Sequence, residues 1–169
     1  MAFYFYGCVS LDGYLATKEH DLSWLYDTGT TADTGYEAFY EQMDMTMMGR
    51  RTFDEIAKQT KPCEVYPTTD NVVFTHQSLD CEGFRAVCAD PVTFVKAQDG
   101  QKNIWVVGGN TILAPLLDAG LVDVLIIQVA PVLLGEGIPL FAQKEALHRF
   151  RLERVQQYGP FAELEYHRI

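Results

Sequence analysis

The chain has 169 residues, 48% of them hydrophobic and 21% charged, and a formal net charge of −10. That length suffices for a full hydrophobic core in one domain, read here as residues 1–169, and the composition carries no mark of disorder. The acidic balance argues against nucleic acid or an anionic membrane surface as partner, since both select positive stripes, so any anionic ligand needs a local basic pocket.

Ala2–Val9 is aromatic, β-branched and nearly uncharged, which predicts a strand buried on both faces. It has no basic n-region and no long apolar run, so no signal peptide is expected. Ser10–Ala16 (SLDGYLA) bends at Asp12-Gly13. Lys18–Asp33 is polar and irregular, and reads as a loop anchored by Trp24. In ADTGYEAFYEQMD, Asp33 or Thr34 is placed to cap a helix. Tyr36, Phe39, Tyr40 and Met43 then fall at i, i+3, i+4 and i+7 and form one apolar stripe.

Thr46–Met48 reads as a short strand, and Thr52–Gln59 as a helix that starts right after two adjacent arginines, Arg50 and Arg51. Asn71–Thr75 and Phe84–Val87 are predicted strands, and Pro91–Ala97 a helix with proline in its first turn. Ile104–Val107 is a strand, Gly108-Gly109 a turn, Asn110–Ala119 a helix closed by Gly120, and Val124–Ala130 a long strand. Arg149–Tyr158 and Phe161–Ile169 alternate around YGP, the pattern of a C-terminal hairpin. Strands alternating with helices imply an α/β sandwich with a mostly parallel sheet and an antiparallel edge.

Cys8, Cys63, Cys81 and Cys88 form no C-x-x-C pair, and no histidine stands at a zinc-finger offset, so reduced thiols and no metal site are expected. The longest apolar run, near Leu121–Leu134, is interrupted by Asp123 and Gln128 and falls short of the ~20 residues a membrane span needs. The expectation is a soluble, cytoplasmic protein.

Two strand–glycine–helix junctions carry the chemistry. One is Met48-Gly49 into the helix at Thr52, the other Val107-Gly108-Gly109 into the helix at Asn110. In a parallel sheet both lie at carboxyl ends of strands, where open α/β sheets bind ligands. Glycine admits close backbone approach, and the helix N-terminus behind it offers free N–H groups and roughly half a positive charge. A glycine pair alone is equally a plain tight turn. Arg50 and Arg51 add planar bidentate donors suited to phosphate, and Arg51 can stack on an adenine ring. As bare surface cations they would oppose the helix dipole, an objection that a bound anion removes. Thr75, His76 and Gln77 follow another strand end and can close the far side of such a pocket, although His76 alone also reads as an exposed loop histidine. The chain contains no G-x-G-x-x-G after its first strand, no P-loop, no G-x-S-x-G and no H-E-x-x-H.

MMGRRTFDEI, NVVFTHQ and WVVGGNTIL, in this order and spacing, resemble dihydrofolate reductase. SLDGYLA and AGLVDVLIIQVAPVLLGEGIPLF are more similar to the reductase half of the bifunctional deaminase–reductase of riboflavin biosynthesis and its stand-alone relatives. The resemblance implies a dihydrofolate reductase-like three-layer α/β/α sandwich that binds NADPH. It assigns the 2′-phosphate and adenine to Arg50 and Arg51, joined by Gly49 and Thr52 at the helix start, and the adenosine-phosphate loop to Thr75 and His76. It places Val107 and the pair Gly108 and Gly109, joined in the family by a cis peptide, under the cofactor, and Asn110, Thr111 and Ile112 on the pyrophosphate. The loop Ser10 to Ala16 falls beside the nicotinamide, with Ala16 toward the cofactor and Ser10 and Asp12 toward substrate. Trp24, Tyr36, Phe39 and Tyr40, with Tyr14 and Leu22, are expected to wall the substrate cavity.

Counting back from Gly49 puts Asp33 where dihydrofolate reductase keeps its catalytic carboxylate. Asp21 is a rival, and either is equally a cap or loop carboxylate. The zinc-ligand His and Cys motifs of the fused deaminase do not occur in these 169 residues. The function that the resemblance implies is hydride transfer from NADPH to a small heterocycle, of pterin or ribosylaminopyrimidine type. The enzyme would be similar to 5-amino-6-(5-phosphoribosylamino)uracil reductase or dihydrofolate reductase. The alternatives are an NADP(H)-binding module without turnover, and a reductase of unrelated carbonyl or quinone compounds. The family also implies a homodimer, with PVLLGEGIPLF either at the subunit contact or in ordinary core.

Overall fold

The computed structural model describes residues 2–98, 100–142 and 147–169, and of Asp33 the backbone alone. Among these residues, eight strands form one sheet in the order β5-β4-β3-β6-β1-β7-β10-β9. The strands are β1 (Ala2–Ser10), β3 (Met45–Gly49), β4 (Asp70–Phe74), β5 (Phe84–Val87), β6 (Asn103–Gly108), β7 (Val124–Ala130), β9 (Phe150–Tyr158) and β10 (Phe161–Arg168). The ladders from β5 through β7 are parallel, and β10 and β9 add an antiparallel edge hairpin. A second, two-stranded ribbon pairs β2 (Tyr14–Ala16) with β8 (Ile138–Pro139).

Side-chain alternation along the central strands builds two cores. On one face Phe3, Phe5, Met47 and Val106 meet α5 (Pro91–Lys96) and α6 (Asn110–Asp118) through Val95, Ile112, Leu113 and Leu116. On the other, Tyr6, Met48 and Trp105 meet α2 (Tyr36–Tyr40), α3 (Arg50–Gln59) and α4 (Pro62–Val65) through Phe39, Phe53 and Val65. The result is the three-layer sandwich expected, with the strands buried on both faces as parallel strands must be.

The placement of the helices follows from handedness. From β3 the chain crosses through α3 to β4 on one side, and from β6 it crosses through α6 toward β7 on the other. Right-handed crossovers running in opposite directions put their helices on opposite faces. The sheet therefore has a switch point between the adjacent strands β3 and β6, and a crevice opens outside their carboxyl ends.

Several local expectations are corrected. The segment 18–33 is not a continuous loop: it holds α1 (Ser23–Tyr26) and a single 3₁₀ turn at Thr31–Asp33. Helix α2 is capped by the backbone of Gly35, with no side-chain cap. Thr34 Oγ1 accepts the Tyr36 N–H at 3.3 Å from one position earlier. Met43 lies beyond the helix end and reaches the core from a turn. The stretch 131–141 is divided: Leu140 is buried, whereas Leu133 is 69% and Phe141 43% exposed. Among the described residues no helix is long and apolar enough to cross a membrane, and no group of three His, Cys, Asp or Glu can hold a metal ion.

Candidate active site

A cleft of about 800 Å³ opens at the switch point. All thirteen positions that the resemblance assigns to a cofactor line it: Gly49, Arg50, Arg51, Thr52, Thr75, His76, Val107, Gly108, Gly109, Asn110, Thr111, Ile112 and Ala16. The two helix starts stand side by side. A Cβ built on Gly49 would lie 3.5 Å from Thr111 Oγ1, and one on Gly109 would lie 3.6 Å from Thr52 Oγ1. One on Gly108, whose φ of +136° suits glycine alone, would meet no heavy atom within 4 Å among the described residues. The Gly108–Gly109 peptide is cis, as the resemblance implies.

Neither α3 nor α6 has an acidic residue in its first turn or a side-chain cap. In α6 the Ile112 N–H donates back to the Gly109 carbonyl at 2.9 Å, the N–H groups of Asn110 and Thr111 and those that start α3 are open donors, and both positive helix ends face the same space. Arg50 is braced: its Nε donates to Asp54 Oδ1 at 2.8 Å and its Nη1 to the Ser78 carbonyl at 3.2 Å, tying the loop after β4 to α3. Arg51 extends toward the 17–21 turn, where its Nη1 lies 3.0 Å from His20 Nε2. Arginine only donates, so Nε2 is the acceptor. His76 Nδ1 lies 2.9 Å from the exposed Cys88 Sγ, and Thr75 Oγ1 accepts from the Gln77 N–H at 3.1 Å. Asn110 Nδ2 donates to the Pro139 carbonyl at 2.6 Å, while its Oδ1 is buried without a partner. Such an arrangement can hold an extended polyanion: peptide N–H groups along the glycine turns, guanidinium groups at one end.

Of the residues expected to wall the substrate, some border this cleft and others lie outside it. Leu22 lines the cleft; Ser10, Asp12, Tyr14, Trp24, Tyr36, Phe39 and Tyr40 do not. Tyr36, Phe39 and Tyr40 pack instead against strand aromatics. Tyr6 stacks on Phe39 with ring centroids 4.6 Å apart, and Trp105 meets Tyr36, Phe39 and Tyr40 edge-on. Their periodicity reports burial, and the partner is the sheet. Ser10 and Asp12 form a clasp. Ser10 Oγ donates to Asp12 Oδ1 at 2.6 Å, and Asp12 accepts the N–H groups of Leu134 and Gly135 at 3.1 and 2.7 Å. Those bonds, Ser10 foremost, hold the Asp12 carboxyl below its usual range. Trp24 is half-buried with its Nε1 unpartnered. Tyr14 pairs with Pro139 in the small ribbon.

Asp33, the expected catalytic acid, has its side chain outside the described residues. Its rival Asp21 is exposed and accepts from the backbone and hydroxyl of Ser23, which lower its pKa. Sequence reasoning missed His20, Leu25 and Tyr26, and a face of α3 formed by Glu55, Ile56 and Gln59. These last three stand three, four and seven residues after Thr52, the helical offsets that continue one face, so a helix set over the cleft at Thr52 already implied them. Cys8 also lines the cleft, where burial pushes its thiol up to about 12, so it stays protonated and unreactive.

The model of the RibD C-terminal domain matches residues 58–162. The chain belongs to the RibD C-terminal domain family. Among relatives, it is 33% identical to YwjB of Bacillus subtilis (strain 168) over 95% of this chain and 94% of that one. A Shewanella sp. PV-4 structure assigned to riboflavin biosynthesis superposes with a TM-score of 0.83 at 26% identity, covering 100% of this chain and 99% of that chain. Dihydrofolate reductase from Enterococcus faecalis, complexed with NADP(H) and RAB-propyl, superposes at 0.68 with 16% identity, covering 99% and 96%. At that identity the likeness shows the fold. As a member of the RibD C-terminal domain family, the chain has a reductase-type fold. The family match takes in the glycine pair and the turn after β4 but starts beyond Arg50 and Arg51, so the arginine site rests on this chain's own geometry.

Proposed function

We propose that the protein is an NADPH-dependent reductase of a small heterocyclic compound. The observation that carries this reading is the pair of uncapped, acid-free helix starts facing one cleft with two arginines at its edge. A phosphate-rich dinucleotide fits that donor set, and the open volume above Gly108 admits its backbone. NADPH supplies the hydride when bound. In this reading the residues of the chain do the rest. Arg50 and Arg51 grip the 2′-phosphate, which selects NADPH over NADH. Thr52, Asn110 and Thr111 present helix-start N–H groups to the pyrophosphate, and Ile112 completes the turn of helix beneath it. Thr75 and His76 border the adenosine. Ala16, Phe5 and Gly7 form the apolar wall beside the ring that reacts, where exclusion of water strengthens every electrostatic contact. Asp33 or a bound water delivers the accompanying proton.

The test is NADPH oxidation followed against a panel of dihydropterins, aminopyrimidines, quinones and aldehydes. Turnover with a heterocycle, reduced in Asp33→Asn at unchanged NADPH affinity, supports the reading. Tight NADPH binding with no oxidation by any of the panel would assign the chain to cofactor binding without turnover.

A further inference from the structure

The two ends of the cleft differ in charge. Among the described lining residues the arginine and lysine side chains are Arg50 and Arg51, both in the first turn of α3. The opposite end is framed by α1 and the second half of α3: Leu22, Leu25, Tyr26, Glu55, Ile56 and Gln59. At about 1.5 Å per residue, Glu55 lies roughly 6 Å and Gln59 roughly 12 Å along the helix from Arg51. Tyr26 Oη donates to Gln59 Oε1 at 2.9 Å, which joins the two helices into one wall. Glu55 is the carboxylate of that wall. Lys58 contacts its Oε1 at 2.7 Å from the solvent side, with the lysine side chain 66% and the glutamate 33% exposed. An exposed pair three residues apart contributes little, and Lys58 is not among the lining residues. His20, between the two ends, accepts from Arg51 and adds no positive charge in that arrangement.

An anionic tail entering this end therefore meets Glu55 first, while the guanidinium of Arg50 is engaged by Asp54 and the Ser78 carbonyl and that of Arg51, one helical turn away, by His20, and a partly buried anion without a partner is costly. A flat ring meets aliphatic walls, the Tyr26 ring, a carboxylate that accepts N–H bonds, and an amide that both donates and accepts. We infer that this end takes a planar nitrogen heterocycle, uncharged or cationic, with no phosphate or carboxylate tail, whose ring N–H groups are read by Glu55. The inference deepens the proposed function and rests on it, because that reading gives the arginine end to the cofactor.

Calorimetric titration of matched compounds tests it, with the protein saturated in NADP⁺ so that no turnover occurs. The pairs are 5-amino-6-ribosylaminouracil with and without its 5′-phosphate, and dihydropterin against dihydrofolate, which carries a glutamate tail. The tail-free member of each pair binds at least tenfold tighter. Glu55→Lys shrinks or reverses that ratio by tenfold or more, and Glu55→Gln, which keeps the shape and removes the charge, moves it the same way by a smaller factor. Tighter or equal binding of the tailed members, no binding by any of the four, or a ratio unmoved in both variants overturns the inference. NADP⁺ affinity, measured first, reports on the cofactor reading separately. If NADP⁺ does not bind, that reading falls, and the same four titrations on the protein alone decide the preference.

Discussion

Arg51 and His20 meet across the mouth of the cleft, guanidinium Nη1 to imidazole Nε2 at 3.0 Å. His20 has a positive φ of 64°, a conformation rare outside glycine, and its N–H donates to the Thr17 carbonyl at 3.0 Å. The turn thus holds the ring where it orients a flexible arginine before any anion arrives. His20→Ala should weaken NADPH by about 0.5–1.5 kcal/mol, a factor of roughly 2 to 10 in Kd. NADH, which offers Arg51 no 2′-phosphate, should change less. Fluorescence titration of both cofactors measures the difference.

Gly109 stands in the gap between the two helix starts, 3.6 Å from Thr52 Oγ1 for a Cβ placed there. In the proposed function this is the path of the pyrophosphate. Gly109→Val should abolish NADPH binding at ten times the wild-type Kd, in protein whose far-UV circular dichroism matches the parent. Unchanged affinity would reduce the glycine pair to a turn.

Away from the cleft, Glu163 is a carboxylate only 2% exposed, on β10. It accepts from Arg154 Nη2 at 2.9 Å and from Gln128 Nε2 at 3.0 Å, while Arg154 Nε also reaches Glu165 at 2.9 Å. Removing the arginine leaves a buried charge without its partner. Arg154→Ala should destabilise by about 2–3 kcal/mol, below the 3–5 of a fully buried pair because Arg154 is half exposed. Adding Glu163→Gln should recover part of the loss, and denaturant unfolding of the single and double variants reads both.

Asp70 receives both Nε and Nη2 of Arg85, at 2.9 and 3.0 Å, and that hydrogen-bonded guanidinium holds its carboxyl below the usual range. A depressed folded-state pKa stabilises above the unfolded value of about 3.9, and the contribution disappears as pH falls through the folded value. Asp70→Asn should therefore flatten the fall in stability below about pH 4 and lower stability at neutral pH. Thermal unfolding between pH 2 and 7 measures the slope.

How much of this was legible in the sequence follows from the range of each interaction. The central strands and long helices are set by local apolar period and by Gly49, Gly108 and Gly109, and their ends differ from expectation by one or two residues, as fraying ends do. The two junctions could be located because glycine followed by a helix start is a local pattern, and their common cleft follows from crossover handedness. The partner of the aromatic stripe was not legible. The stripe of Tyr36, Phe39 and Tyr40 states that a face is buried without saying what covers it, and Trp105 comes 65 residues after Tyr40. His20 and Tyr26 reach the cleft through contacts 31 and 33 residues distant, with Arg51 and Gln59, which no short-range pattern announces. The short elements α4, β2 and β8 lie below the length at which periodicity can be read.

The central claim is that Arg50 and Arg51 hold the phosphate that distinguishes NADPH from NADH. Its most direct test is the ratio of the two dissociation constants in wild type and in the Arg50→Ala/Arg51→Ala double variant. Each lost charge-assisted contact is worth about 1.5–3 kcal/mol, so the preference for NADPH should fall by roughly a hundredfold or more, with NADH nearly unmoved. Equal weakening of both cofactors, or a preference for NADPH that survives the loss of both arginines, would contradict it.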